Sequence, residues 1–123
     1  MAVPGSSSVY YGGSVAYNTR KAKKLLLDDA ALHQRLVENN SSEKSNTSTS
    51  ASSEAEAYIQ SKLFWTAETS KAFCDSLETD YAIAEGGASG PTFRPNDLHS
   101  GFAVISIAGK DRDTNKTRVL AQS

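Results

Sequence analysis

The sequence predicts an α/β layered domain, and three observations carry that expectation. Apolar residues recur every three or four positions in two stretches, 20–37 and 53–77, as on the buried faces of amphipathic helices. Short runs rich in valine, isoleucine and tyrosine lie before the first of those stretches and after the second. The whole chain is 123 residues, enough for one hydrophobic core and not for two. The resulting order is strand, strand, helix, insertion, helix, strand, loop, strand, strand. Helices alternating with apolar strands are expected to lie as layers on a sheet.

The chain opens on Pro4-Gly5-Ser6-Ser7-Ser8, which has loop chemistry. Val9-Tyr10-Tyr11 and Ser14-Val15-Ala16-Tyr17 follow as short β-prone runs. Gly12-Gly13 between them fits a bulge or a close approach of a ligand to the backbone. Asn18 or Thr19 is suited to cap a helix that begins with Arg20, Lys21, Lys23 and Lys24. Its apolar set runs from Ala22 through Leu25, Leu26, Leu27, Ala30, Leu32 and Leu36 to Val37. Cations in a first turn oppose the helix dipole at a few tenths of a kcal/mol each, so their presence is a mild pointer to function; a solvated basic face is the plainer alternative.

Residues 39–53 contain 12 Ser, Thr or Asn in 15 positions and no large apolar side chain. Such a segment buries too little to offset its ordering entropy and is expected to be a flexible insertion. Ser53-Glu54-Ala55-Glu56 has the capping-box pattern, so the second helix is expected to open there. Ala57, Ile59, Leu63, Trp65, Ala67, Phe73, Cys74 and Leu77 would form its buried face. Tyr81-Ala82-Ile83-Ala84 reads as a buried strand, and 86–96 as a glycine- and proline-rich loop. Phe102-Ala103-Val104-Ile105-Ser106-Ile107 is the strongest strand; 110–116 is a polar turn, and 117–121 pairs back as a hairpin. Two helices are few for a sheet of four or five strands, so one face is expected to be partly bare.

Composition excludes several classes of function. Thirteen basic and 14 acidic residues leave a net charge of −1, without the clustered positive charge that nucleic acid or an anionic membrane surface needs. Mean hydropathy is −0.45, and no apolar run nears the roughly 20 residues of a membrane span. One cysteine, Cys74, allows neither an internal disulfide nor a cysteine-based zinc site, and its neighbours fit an inert core thiol. His33 and His99 are not at metal-ligand spacing. Met1-Ala2-Val3-Pro4 begins no signal peptide, so a cytoplasmic location is expected. A chain that starts inside a loop leaves an upstream organelle signal open.

Two loops are suited to chemistry at the ends of strands. Pro4-Gly5-Ser6-Ser7-Ser8 offers hydroxyls and amides to a phosphate. Glu85-Gly86-Gly87-Ala88-Ser89-Gly90-Pro91 follows directly on an apolar strand.

Together these pieces resemble the C-terminal domain of the CinA (competence/damage-inducible) family. Residues 4–17 are similar to its "PGSS…GG-V-A-Y" stretch, and the lysine-bearing helix follows in place. Residues 81–91 resemble its "A-V-T-G-x-A-G-P" strand and loop, and Ser100-Gly101-Phe102-Ala103-Val104-Ile105-Ser106-Ile107-Ala108-Gly109 resembles its "VGTVYIALAG" strand. The three blocks are collinear and cover most of the chain outside the serine-rich insertion.

The resemblance implies a three-layer α/β/α sandwich and a nicotinamide-nucleotide amidase, which turns the carboxamide of nicotinamide mononucleotide into nicotinate mononucleotide and ammonia. It implies a serine nucleophile helped by a lysine and a threonine, with no metal or other cofactor. On this chain it points to Lys23 and Glu85 as catalytic positions and to Ser6, Ser7, Tyr17, Gly86, Gly87 and Gly90 for substrate. Amide hydrolysis needs an activated nucleophile, a proton shuttle and donors for the oxyanion; the cations around Lys23 would help to lower its pKa.

Three departures qualify the transfer. The family's serine lies upstream of the "PGSS" loop, where this chain begins, and its final helix lies beyond Ser123. The domain is therefore expected to be incomplete at both ends. Glu85 is set against the family's threonine. The lysine register falls on Lys23 with a one-residue insertion, or beside Lys21 without one. The expected partner is a small nucleotide, with neither nucleic acid nor membrane, and self-association into a homo-oligomer is open. The alternatives are a catalytically silent nucleotide- or protein-binding module, or a structural assembly protein.

Overall fold

The computed structural model describes residues 3–16, 34, 51–88 and 101–123. The helix expected over 20–37 (except Gln34, which is helical), the insertion up to residue 50 and the loop 89–100 lie outside the described residues.

The described part is one long helix laid on a three-stranded antiparallel sheet. Helix α1 spans Ala51–Ser76. Strands β1 (Tyr81–Ala88), β2 (Phe102–Lys110) and β3 (Thr117–Gln122) follow in the spatial order β1-β2-β3. The short runs expected as strands near the N-terminus are not strands where they are described. Residues 9–16 have no ladder partner, and Val9, Tyr11 and Val15 are exposed. Two or three β-prone residues next to a glycine pair make too few ladder bonds to hold a strand alone.

Helix α1 is 26 residues, about 39 Å at 1.5 Å per residue. It begins two residues before the expected capping box, so Ser53 and Glu56 are interior positions. Serine is only slightly worse than alanine inside a helix, and a nucleated helix extends through it at little cost. The buried side of α1 carries Ala55, Trp65, Thr66, Ser70 and Cys74. Thr66, Ser70 and Cys74 recur every four residues and form one stripe of small side chains. Leu77, expected in the core, is exposed. The chain has already turned away there: Thr79 N–H bonds to Cys74 O at 3.1 Å and Glu78 N–H to Asp75 O at 3.2 Å. This is a Schellman closure, with Glu78 at φ 53° in the left-handed position that glycine usually takes.

Each strand sends alternate residues to the helix. On β2 these are Val104, Ser106 and Ala108, all buried. Ala84 and Gly86 of β1 pair with Ser106 and Val104 and share that face. The core is therefore built from small groups; the largest fully buried side chains are Val104, Cys74, Ser70 and Ser106. The opposite face carries Tyr81, Ile83, Ile105 and Leu120, all exposed among the described residues. The run 81–84 is thus buried on one side only, not on both as expected. Strand β1 also runs on through Gly86, Gly87 and Ala88, where a loop was expected, because Phe102, Ala103 and Val104 pair with those three residues in register.

The β2–β3 hairpin matches its expectation. Asp111 Oδ1 accepts the N–H groups of Asp113 (2.9 Å) and Thr114 (3.0 Å), which closes the polar turn. Register shifts between Ile107 and Ala108: Ala108 faces Val119, whereas Ile107 faces Ala121 and Ser106 faces Gln122. Leu120 is the extra residue of a β-bulge. Among the described residues no helix is long and apolar enough to cross a membrane.

Candidate functional site

The carboxyl end of β1 gathers the chemistry that the described residues share with the sequence expectations. Glu85, Gly86 and Gly87 are consecutive on this strand and face Ile105, Val104 and Ala103 of β2. Side chains alternate, so Glu85 points away from α1 and is exposed, while Gly86 faces the helix.

Gly86 is needed for closeness. A Cβ there would stand 3.0 Å from Thr66 Cγ2 and 3.9 Å from Lys62 Cδ. The stem of Lys62 thus crosses the strand over Gly86 and buries its methylenes. Gly87 is tighter still: a Cβ would meet Phe102 O at 2.5 Å and Glu85 Oε1 at 3.0 Å. The Glu85 carboxylate therefore leans along the strand toward Gly87. Lys62 and Glu85 lie on opposite faces of one short stretch of β1.

Lys62 Nζ stands 5.3 Å from the centre of the Tyr58 ring, within cation–π range. Tyr58 in turn tilts against Phe102, with ring centres 6.5 Å apart and planes at 58°. Burial holds the Lys62 amine below its ordinary value, and the Glu85 carboxylate pulls it partly back up. Burial also raises the Tyr58 phenol, which stays neutral at physiological pH. An amine and two aromatic rings therefore meet on the helix side where β1 ends and β2 begins, with the Glu85 carboxylate on the opposite face.

Beneath them lies a buried polar chain. Gln122 Nε2 donates to Ser106 Oγ at 2.6 Å, and Ser106 Oγ lies 2.7 Å from Thr66 Oγ1. Thr66 Oγ1 reaches Lys62 O at 3.0 Å and Leu63 O at 3.1 Å. The proton directions follow from the two ends. Gln122 can only donate through Nε2 and a carbonyl can only accept, so Ser106 donates to Thr66 and Thr66 to the helix backbone. Ser106 is fully buried and Thr66 nearly so, which makes this satisfied chain a structural support for the strand end above it.

The other expected site residues are not brought to this place. Ser6 and Ser7 sit in a short 3-10 turn, Ser6–Ser8, behind Gly5 at φ 79°. The amides thought free for phosphate are partly spent locally: Ser6 N–H bonds to Val3 O and Ser8 N–H to Gly5 O. Among the described residues no packing joins this turn to α1 or the sheet. Lys23, Tyr17 and Gly90 lie outside the described residues. Lys62, Tyr58 and Phe102 were not singled out from sequence. The lone available signal was helical spacing, since Tyr58 and Lys62 are four apart and share a face.

A concavity of about 190 Å³ opens at the other end of the sheet between Tyr81, Gly109, Lys110, Asp111, Arg118 and Leu120. It holds none of the expected site residues, and the neighbouring Asp111 carboxylate is spent on its own turn. Among the described residues no three metal-ligating side chains are grouped. No protein-family model matches the chain, and no curated protein or solved structure matches it either.

Proposed function

We propose that the chain is a nicotinamide-nucleotide amidase of the CinA C-terminal type, acting on the carboxamide of nicotinamide mononucleotide. One observation carries this reading. The described parts of the two blocks of resemblance, 81–88 and 102–109, fold as neighbouring strands, paired from Tyr81↔Gly109 to Ala88↔Phe102. The two blocks thus lie side by side in one sheet, which supports reading them as parts of one domain. Counting back from Gly90-Pro91 adjusts the alignment at one point: the family's threonine falls on Gly86, and Glu85 stands one residue before it.

In this reaction water, or a nucleophile that water later displaces, adds to the amide carbonyl carbon. The C–N bond then breaks, and the nitrogen leaves as ammonia after taking a proton. Lys23 is the lysine that the resemblance assigns to proton transfer. In the same reading the outer sheet face, with Tyr81, Ile83, Ile105 and Leu120, receives the second helical layer of an α/β/α sandwich. The amphipathic stretch 20–37 has the apolar side for it.

The exposed outer face also favours a second reading, a structural assembly module that buries this face against a partner. Ammonia release from nicotinamide mononucleotide, followed with the protein carrying the upstream serine segment and with its Lys23→Ala variant, separates the two. Turnover that Lys23→Ala abolishes supports the amidase. A chain that neither binds nor hydrolyses the nucleotide, and that is oligomeric by native mass spectrometry, supports assembly.

A further inference from the structure

Strand β1 lies at one edge of the sheet. Lys110 N–H bonds to Asp80 O at 3.0 Å, which fixes the phase of the β1–β2 ladder. Ala82, Ala84, Gly86 and Ala88 therefore turn their backbone groups toward β2, while Tyr81, Ile83, Glu85 and Gly87 turn theirs outward. Thr79 Oγ1 donates to Tyr81 O at 3.0 Å, which leaves that carbonyl a second lone pair. Among the described residues no other backbone group pairs with this outward row.

The two edges of the sheet are guarded differently. Strand β3 carries Arg118 and the bulge at Leu120, both of which discourage a further strand. Strand β1 stays in register over all 8 of its residues, contains no proline or lysine, and has Glu85 as its one charged side chain. Its Tyr81 and Ile83 side chains are exposed. A long, regular, apolar edge of this kind is a template for another strand.

The order of residues on the edge says which strand fits. An antiparallel copy of β1 must set outward residues opposite outward residues. With the two-fold axis at Ile83, Ile83 meets Ile83 of the second copy, and Tyr81 of each copy meets Glu85 of the other. The apolar pair lies on the axis, and each phenol has a carboxylate acceptor across the strands. On the helix side Ala82 meets Ala84 of the other copy, and both are small. An axis at Glu85 would oppose two carboxylates, and an axis at Ala84 would set each carboxylate against Ile83. We propose that β1 is a self-pairing edge, at which two copies of the chain join antiparallel about Ile83 into one continuous sheet. The contact is isologous, so it closes at a dimer. It goes beyond the amidase reading and does not depend on it, and it differs from burial of the outer face because backbone groups of the edge form it.

Hydrogen exchange by NMR on the full chain, at low and high concentration and alongside sedimentation, tests this. A monomer–dimer equilibrium is expected. The Tyr81, Ile83 and Glu85 amides exchange fast in the monomer and about tenfold or more slower in the dimer, whereas those of Ala82, Ala84 and Gly86 are protected in both. Ile83→Pro removes an outward N–H and no ladder bond, so it is expected to fold and to raise the dissociation constant about 10–100-fold. Ile83→Cys cross-links to the second copy on mild oxidation and Glu85→Cys does not; the native Cys74 is fully buried and does not compete. A chain that stays monomeric at the highest concentration overturns the proposal. A dimer whose Tyr81, Ile83 and Glu85 amides exchange as in the monomer also overturns it, and places the contact elsewhere. Protection of those amides in the monomer overturns it too, since another segment of the chain then covers the edge. Cross-linking through Glu85→Cys in place of Ile83→Cys overturns the register. The exchange pattern is read on wild type, so it decides the matter even if Ile83→Pro fails to fold.

Discussion

Ser106 Oγ in the middle of β2 lies 2.7 Å from Thr66 Oγ1 on α1, across 40 residues of sequence. Gln122 donates to the same serine from β3, so one hydroxyl joins the helix to two strands. Ser106→Ala removes the hydroxyl that both Thr66 and Gln122 use, although Gln122 Nε2 still reaches Leu63 O and, at 3.2 Å, Thr66 Oγ1. The expected loss is about 0.5–1.5 kcal/mol in urea unfolding. Adding Thr66→Val then costs less than Thr66→Val alone, because the partner is already gone. Strict additivity in that double-mutant cycle would show the contact to be idle.

The two strand-end glycines differ in what a methyl group would strike. At Gly87 it meets the carbonyl oxygen of Phe102, which the ladder holds in place. At Gly86 it meets a side-chain methyl of Thr66. Gly87→Ala is expected to cost about 1–3 kcal/mol and Gly86→Ala clearly less, both read as shifts of the urea midpoint. Equal costs, or the reverse order, would mean that β1 is not held as described.

Glu78 occupies a left-handed position at the C-terminal closure of α1. Glycine takes that conformation without the Cβ penalty. Glu78→Gly is therefore expected to stabilise the fold by about 0.5–1 kcal/mol, raising the melting temperature by a few degrees. A lower melting temperature would contradict the closure.

Lys62 makes stability depend on alkaline pH. Its folded pKa lies below the ordinary lysine value of 10.5, so between the two the unfolded chain binds more protons. Stability therefore rises with pH across that window; below it, the buried charged amine is a constant cost. Lys62→Met is expected to stabilise the fold at neutral pH, with the advantage shrinking as pH climbs toward 10. A stability difference that stays flat over that range would place the amine in water.

Cys74 is fully buried, and its thiol donates to Thr79 O at 3.1 Å. A thiol reagent is expected to label the folded chain only at the rate of unfolding and to react at once in denaturant. Rapid labelling of the folded chain would show that the helix end opens locally.

The parts legible in the sequence were those encoded by neighbours. The apolar, β-branched run 102–107 and the polar turn after it made β2 and the hairpin legible, because run composition and turn chemistry are local signals. Cys74 was legible as a core residue for the same reason. Strand β1 was read too short, since Gly86-Gly87 has loop chemistry by itself and becomes strand only through pairing with Ala103 and Val104. The start of α1 was misplaced because the serine-rich composition masks a helix that propagates back from Ala55 and beyond. The Thr66–Ser106–Gln122 chain and the placing of Lys62 over Gly86 were out of reach. They join residues that no spacing rule connects, and each residue alone is unremarkable.

The extra residue in β3 has a consequence for how this chain tolerates length changes. Without Leu120 the ladder would run unbroken from Ala108↔Val119 to Ile107↔Ala121 and Ser106↔Gln122. In an unbulged ladder of the present length, Ile107 would face Leu120 and Gln122 would be turned to the outer side opposite Ile105. The bulge sets the parity of the C-terminal residues and so decides which of them the helix meets. A further insertion within 120–122 is expected to turn Gln122 outward, whereas deletion of Leu120 removes the bulge and leaves Gln122 opposite Ser106.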